Sequence, residues 1–289
     1  MKKKTSILLG ILPLMLASCG IGNSNNEKPT IYTSFYPIYD FTCRIVKDKF
    51  NVVNITPAGS EPHDYDLSTS DVVGMTEASY IFTNGIGLES WTDTLPNNLS
   101  EKVYEVTEGI DILSINGTKD PHVWLNPLNA IKEMENIKNY LCQNDSSNAS
   151  FYLDNFENAK YLFTSFDSSF ESTVNSFTNK NLVVSHAALG YFCDRYSLNQ
   201  IYIDGLSPDD EPNAQAISSI ISAVKEYNVS TIFYEELVSD AIAKTIASET
   251  GAECESFNPL EGLSKDELPY EDYVSVMTQN VRKFEKACK

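Results

Sequence analysis

From Ser150 to Thr178 the chain contains neither glycine nor proline. Phe156, Ala159, Phe163, Phe166, Phe170, Val174 and Phe177 recur there at intervals of three and four. That spacing puts all seven side chains on one face of a helix, and an uninterrupted helix of about 28 residues would be ~42 Å long. A helix of this length fits either a long surface element or a bridge between two separately folded halves.

The flanking sequence favours halves of one kind. Short β-rich runs cover Ile31–Phe35, Val52–Thr56, Tyr80–Thr83, Val103–Val106, Leu182–Ser185, Gln200–Ile203, Thr231–Tyr234 and Glu253–Phe257. Amphipathic helical patterns lie between several of them, as at Ala214, Ile217, Ile220, Ile221 and Val224. The last of these patterns has a helix-start signature, with Asp209, Asp210 and Glu211 just ahead of Pro212 in the first turn. Strand and helix alternating in this way predict βαβ units with mainly parallel sheets, an α/β fold. The 289 residues exceed what one small core needs and suit two lobes of about 120 residues.

The amino terminus speaks to location. Lys2, Lys3 and Lys4 precede an apolar run from Ile7 to Leu16. The run is too short to cross a hydrocarbon layer of about 30 Å as a helix, so residues 1–18 read as a signal peptide. Its end, Leu16-Ala17-Ser18-Cys19-Gly20, resembles the lipobox of bacterial lipoproteins, which implies a lipidated Cys19 and membrane attachment on the extracytoplasmic side. Residues 19–29 are small and polar, as a flexible tether is. Without residues 1–18 the net charge falls from −19 to about −22, a balance that argues against nucleic acid and anionic membrane surfaces as partners. Besides Cys19 there are Cys43, Cys142, Cys193, Cys254 and Cys288. None forms a C-x-x-C pair, which disfavours a thiolate zinc site or a thioredoxin-like motif, and disulfide pairing stays open.

The chain has only three histidines: His63 in GSEPHDYDLS, His122 in DPHVWLNP and His186 in LVVSHAALGYF. His186 directly follows a strand-like run, and in open α/β sheets ligands collect beyond the carboxyl ends of strands. His63 and His122 each follow a proline-containing turn. Neutral imidazole is a good ligand for zinc, which accepts four donors tetrahedrally. No two of the histidines fall at a local chelating interval, so spacing alone leaves a shared metal site and three independent histidines both open.

The surrounding motifs resemble those of the zinc/manganese-binding solute receptors of bacterial ABC importers across essentially the whole mature chain. Glu61-Pro62-His63-Asp64-Tyr65 looks like the family's first ligand motif, and Asp120 to Pro127 is similar to the second almost letter for letter. Ser185 to Tyr191 resembles the third, and Asn258-Pro259-Leu260-Glu261-Gly262-Leu263 the fourth, where the family supplies a carboxylate. Asn84 to Trp91 resembles a family turn after a strand. The resemblance implies two α/β lobes joined by one rigid helix, with the metal in the cleft between them. It places the lobes at residues 30–149 and 179–289 and the bridge at 150–178. It implies His63, His122, His186 and Glu261 as ligands of a transported Zn²⁺, no enzymatic activity, and a membrane permease as partner of a monomeric receptor.

Members of the manganese branch commonly have a carboxylate as third ligand; His186 stands there here and favours zinc, with Mn²⁺ the alternative. The fourth motif departs from members that begin it with Asp, because Asn258 is neutral. Between Glu108 and Asp120 there is no trace of the His-rich loop that many zinc receptors carry. Glu61 reads as a solvated turn residue or as a support that orients a ligand histidine, Asp120 as a helix cap or a support for His122, and Trp124 as a core anchor. Gly85-Ile86-Gly87 reads as a tight turn and not a phosphate loop. Two rivals remain, a zinc enzyme with an open fourth position and a surface adhesin, a role sometimes attributed to this family.

Overall fold

The computed structural model describes residues 28–208, 212–236 and 239–289. The signal, the lipobox and most of the tether fall outside these residues, as do Asp209, Asp210 and Glu211. Strand β1 (Thr30–Thr33) leads into helix α1 (Tyr36–Val46), then β2 (Asn51–Asn54), α2 (Thr69–Thr76), β3 (Tyr80–Thr83), α3 (Asn97–Ser100) and β4 (Val103–Glu105). A small hairpin, β5 (Ser114–Ile115) and β6 (Thr118–Lys119), precedes α4 (Pro127–Asn144) and the long α5 (Ala149–Asn175). The second half runs β7 (Asn181–Val184), α6 (Gly190–Tyr196), β8 (Asn199–Tyr202), α7 (Ala214–Glu226), β9 (Thr231–Glu235), α8 (Ala241–Thr250), β10 (Glu253–Phe257) and α9 (Tyr273–Cys288).

All eight expected strands form, four in each of two fully parallel sheets. The first sheet has the order β2-β1-β3-β4 and the second β8-β7-β9-β10, so the two lobes repeat one topology. In each, the order reverses beside the first strand, between β1 and β3 and between β7 and β9. Ligands of open parallel sheets bind at such switch points.

Helix α5 lies along both halves, against α1 and α4 on one side and α6 and α9 on the other. Its apolar stripe is the anticipated one: Phe156, Ala159, Phe163, Phe166, Phe170 and Val174 are buried within the helix, and Phe177 just beyond its end. Phe163 touches Phe41 edge-on at 5.9 Å and stacks on Tyr273 at 4.8 Å, tying α1 of the first lobe to α9 of the second. One continuous apolar core, from Phe35 and Trp124 to Phe233 and Phe284, therefore spans both lobes. Each of these aromatics contributes about 1.5–3 kcal/mol by burial, which makes the bridge a stiff one.

Two local expectations change. Helix α7 does not take Pro212 into its first turn; it starts at Ala214, capped by Asn213 Oδ1, which accepts from the backbone N–H groups of Gln215 and Ala216. The turn before His122 is a true hairpin, with Asn116 (φ 52°) and Gly117 (φ 87°) both left-handed, as a two-residue connection requires. The five cysteines in the described residues are all free thiols.

Candidate metal centre

Each histidine arrives from a different junction. His63 sits in the loop between β2 and α2, His122 follows the β5–β6 hairpin, and His186 directly follows Ser185 at the end of β7. Glu261 comes four residues after the end of β10. The four side chains, remote in sequence, offer donor atoms that all lie within 4.8 Å of one another. His122 and His186 are fully buried, Glu261 is 2 % exposed, and only His63, at 10 %, reaches the surface.

The distances describe a small polyhedron. His122 Nε2 lies 3.1 Å from His63 Nε2 and 3.2 Å from His186 Nε2. Glu261 Oε1 lies 3.4, 3.1 and 3.2 Å from the Nε2 atoms of His63, His122 and His186. A tetrahedral zinc with N and O bonds of about 2.0–2.1 Å has donors about 3.3–3.4 Å apart. The five separations, 3.1 to 3.4 Å, lie at or up to about 0.3 Å below that value.

Proton positions are dictated by the surroundings. Asp120 Oδ1 accepts from the backbone N–H of His122 at 2.9 Å and from its Nδ1 at 2.7 Å. Glu235 Oε1 accepts from His186 Nδ1 and, at 2.7 Å, from Ser185 Oγ. An ionised carboxylate can only accept, so in both neutral rings Nδ1 carries the hydrogen and Nε2 presents its lone pair to the centre. Neither Glu261 oxygen takes a hydrogen bond of regular geometry, although both are buried. Lone pairs and a carboxylate converging on one point repel unless a cation or a proton sits among them. The donor set fits zinc.

Electrostatics carry the same signature. Burial would lower the His186 pKa, but the charges of Glu235 and Glu261 outweigh it and raise it well above the usual value. Burial is likewise outweighed at His122, raised by its contacts with Asp120 and Glu261. At His63 burial wins and the pKa is lowered. Glu261 is held well below the usual carboxylate range because the His186 charge and the three imidazole contacts overcome burial. The centre thus demands positive charge around Glu261.

Glu235 is the residue that sequence reading passed over. It ends β9 next to β7, two register steps past Val184 and Phe233, which pair across the switch point. An acidic residue closing an apolar strand beside a histidine-bearing strand is the signal that could have found it. Asp120 supports His122 and does not cap a helix; the cap of α4 is Asn126. Glu61 is not a solvated turn residue. Its carboxylate accepts from the His63 N–H at 3.2 Å, and burial together with the Glu261 charge pushes its pKa up to about 9. The Gly85–Gly87 turn has no room for phosphate, because Glu89 already takes the N–H groups of Asn84 and Gly85 at 2.7 and 3.0 Å. Asn84 in turn donates to the Pro121 carbonyl at 3.0 Å and steadies the His122 turn.

A sequence model of the periplasmic zinc-uptake complex component A, ZnuA, matches residues 31–287. The chain belongs to the ZnuA family. It is 32 % identical to the high-affinity zinc uptake system protein ZnuA of Bacillus subtilis, over 93 % of this chain and 92 % of that protein. It is 30 % identical to the zinc-binding lipoprotein AdcA of Streptococcus pneumoniae but spans only 60 % of that longer protein's length. The solved Zn(II)-bound ZnuA-like domain of AdcA superposes with a TM-score of 0.80 at 32 % identity, covering 90 % of this chain and 99 % of that one. The laminin-binding protein of Streptococcus agalactiae, described as both adhesin and metal transporter, gives 0.83 at 28 % identity, over 90 % and 100 %. ZnuA-family proteins are the zinc-binding receptors of ABC uptake systems, and the two-lobed fold with its long helix is theirs.

Proposed function

We propose that this chain captures Zn²⁺ outside the cell membrane on His63, His122, His186 and Glu261 and hands it to the permease of an ABC importer. The supporting observation is the set of five donor separations between 3.1 and 3.4 Å, with two imidazoles locked by carboxylates in the ligating tautomer. Three imidazoles and one carboxylate suit zinc better than the harder Mn²⁺. Glu261 fills the fourth corner, so no position is left for the activated water of a zinc hydrolase, and the site serves binding. The lobes are residues 30–149 and 179–289, with 150–178 as the bridge between them. The receptor works as a monomer attached to the membrane through a lipidated Cys19, and among the described residues no helix is long and apolar enough to cross a membrane. The similarity to the streptococcal laminin-binding protein supports adhesion as a second role of the same surface-anchored chain. Isothermal titration of metal-free protein tests the ligand set. One tight zinc per chain, weakened strongly in His122→Ala and measurably, without being lost, in Glu261→Gln, is expected; uptake unchanged in either variant contradicts it.

A further inference from the structure

Two of the four proposed ligands are oriented through their side chains, His122 by Asp120 and His186 by Glu235. Glu261 has no such partner: neither of its oxygens takes a regular hydrogen bond. Its placement must therefore come from the backbone that carries it. That backbone is unusual, since Leu260 immediately before it is fully buried with φ +66°, a left-handed conformation that is strained for a non-glycine residue.

The strained turn is held by two asparagines. Asn258 Oδ1 accepts from the Leu260 N–H at 2.7 Å, while its Nδ2 donates to the Gly262 carbonyl at 3.3 Å, so one side chain spans the turn from both ends. Asn280, on α9, accepts from the Asn258 N–H at 3.1 Å and donates to the Asn258 carbonyl at 2.6 Å. Asn258 is 7 % exposed and Asn280 3 %. A backbone N–H can only donate and a carbonyl only accept, so each position needs a group that does both. An amide does; a carboxylate does not.

We propose that Asn258 and Asn280 are positioning residues for the carboxylate ligand, acting through the left-handed Leu260 to aim Glu261 at the histidine centre. The proposal rests on Glu261 being a zinc ligand. It also gives Asn258 a role that does not require it to ligate.

The test is a double-mutant cycle. Zinc affinity is measured by competition with a chromophoric chelator for the wild type, Asn280→Ala, Glu261→Gln and the double variant, with the melting temperature of each metal-free form as the check on folding. Asn280→Ala is expected to weaken zinc binding about 10–100-fold, the usual cost of removing a support of a metal ligand. In the Glu261→Gln background the same substitution is expected to change affinity less than about twofold, because the group it positions is already gone. In the Co²⁺-loaded protein, the visible spectrum of Asn280→Ala should move toward that of Glu261→Gln. An equal loss in both backgrounds, or none in the wild-type background, overturns the proposal. Asn280→Asp keeps the size and the acceptor for the Asn258 N–H and replaces the alanine variant in the cycle if that one does not fold. A wild type that fails to take up zinc overturns the functional reading and this inference together; tight wild-type uptake with Asn280→Ala unchanged overturns this inference alone.

Discussion

Removing the carboxylate behind His122 probes how far the centre is preorganised. Asp120 is fully buried and its Oδ1 accepts twice from His122, from the backbone N–H at 2.9 Å and from Nδ1 at 2.7 Å. In Asp120→Ala both hydrogens lose their acceptor, and a hydrogen bond to a charged group is worth about 1.5–3 kcal/mol. Part of that loss destabilises the fold whether or not metal is bound. The part that concerns zinc is the freedom of the imidazole to rotate or to move its proton to Nε2, where it blocks ligation. Supports of this kind contribute about 10–100-fold in metal affinity, or ~1.4–2.7 kcal/mol. Asp120→Asn keeps an acceptor oxygen and the tautomer but gives up the charge that raises the basicity of the ring, so less than about a tenfold loss is expected. The assay is a zinc competition titration at constant pH, with stopped-flow release by a chelator to show that the loss lies in the off-rate. An alanine variant that binds zinc within about twofold of the wild type would refute the role of Asp120 in holding the tautomer.

Other consequences follow from the same geometry. Zinc affinity should fall as the solution is acidified, because His122 and His186 have raised pKa values and protons compete for their Nε2 atoms; affinity independent of pH between 5 and 8 would contradict imidazole ligation. In the metal-free protein these two histidines and Glu61 all have pKa values raised on folding, so their stabilisation is full at low pH and is lost as pH rises through the folded values, to about 9 for Glu61. Zinc should cancel that loss, and thermal melts of both forms across pH 6.5–9 measure it. His63→Ala should cost less affinity than His186→Ala, since His63 is the exposed corner and His186 is locked by Glu235, and titration of the two variants side by side decides it. Phe163→Ala should destabilise the fold by about 3–5 kcal/mol, because Phe163 packs against Phe41 and Tyr273 from the two lobes; denaturant unfolding reads this directly.

The fold was legible because its signals are periodic. Strands of four or five apolar residues and a helix with a stripe at three-and-four spacing announce themselves locally, and all eight strands and α5 lie within a few residues of expectation. The β5–β6 hairpin was reduced to a turn because strands of two residues carry no period, although Asn116-Gly117 is a hairpin signal. The site was legible only in part. Three histidines with no local chelating interval say nothing by themselves about convergence, and it was the resemblance of four motifs that joined them to Glu261. Glu61 reads first as a solvated turn residue because acidic residues usually are, and Glu235 was passed over one residue beyond the expected strand Thr231–Tyr234; only packing of the two lobes reveals that Glu61 lies within the field of Glu261 and that Glu235 holds His186. The strain at Leu260 has no sequence signature at all, since leucine rarely adopts positive φ.

The most direct measurement is a crystal structure of the zinc-loaded chain with anomalous scattering at the zinc edge. One zinc bound at about 2.0–2.1 Å to the Nε2 atoms of His63, His122 and His186 and to Glu261 is the predicted result. A zinc that leaves any one of these side chains unbound, or that carries a water in place of Glu261, would contradict it.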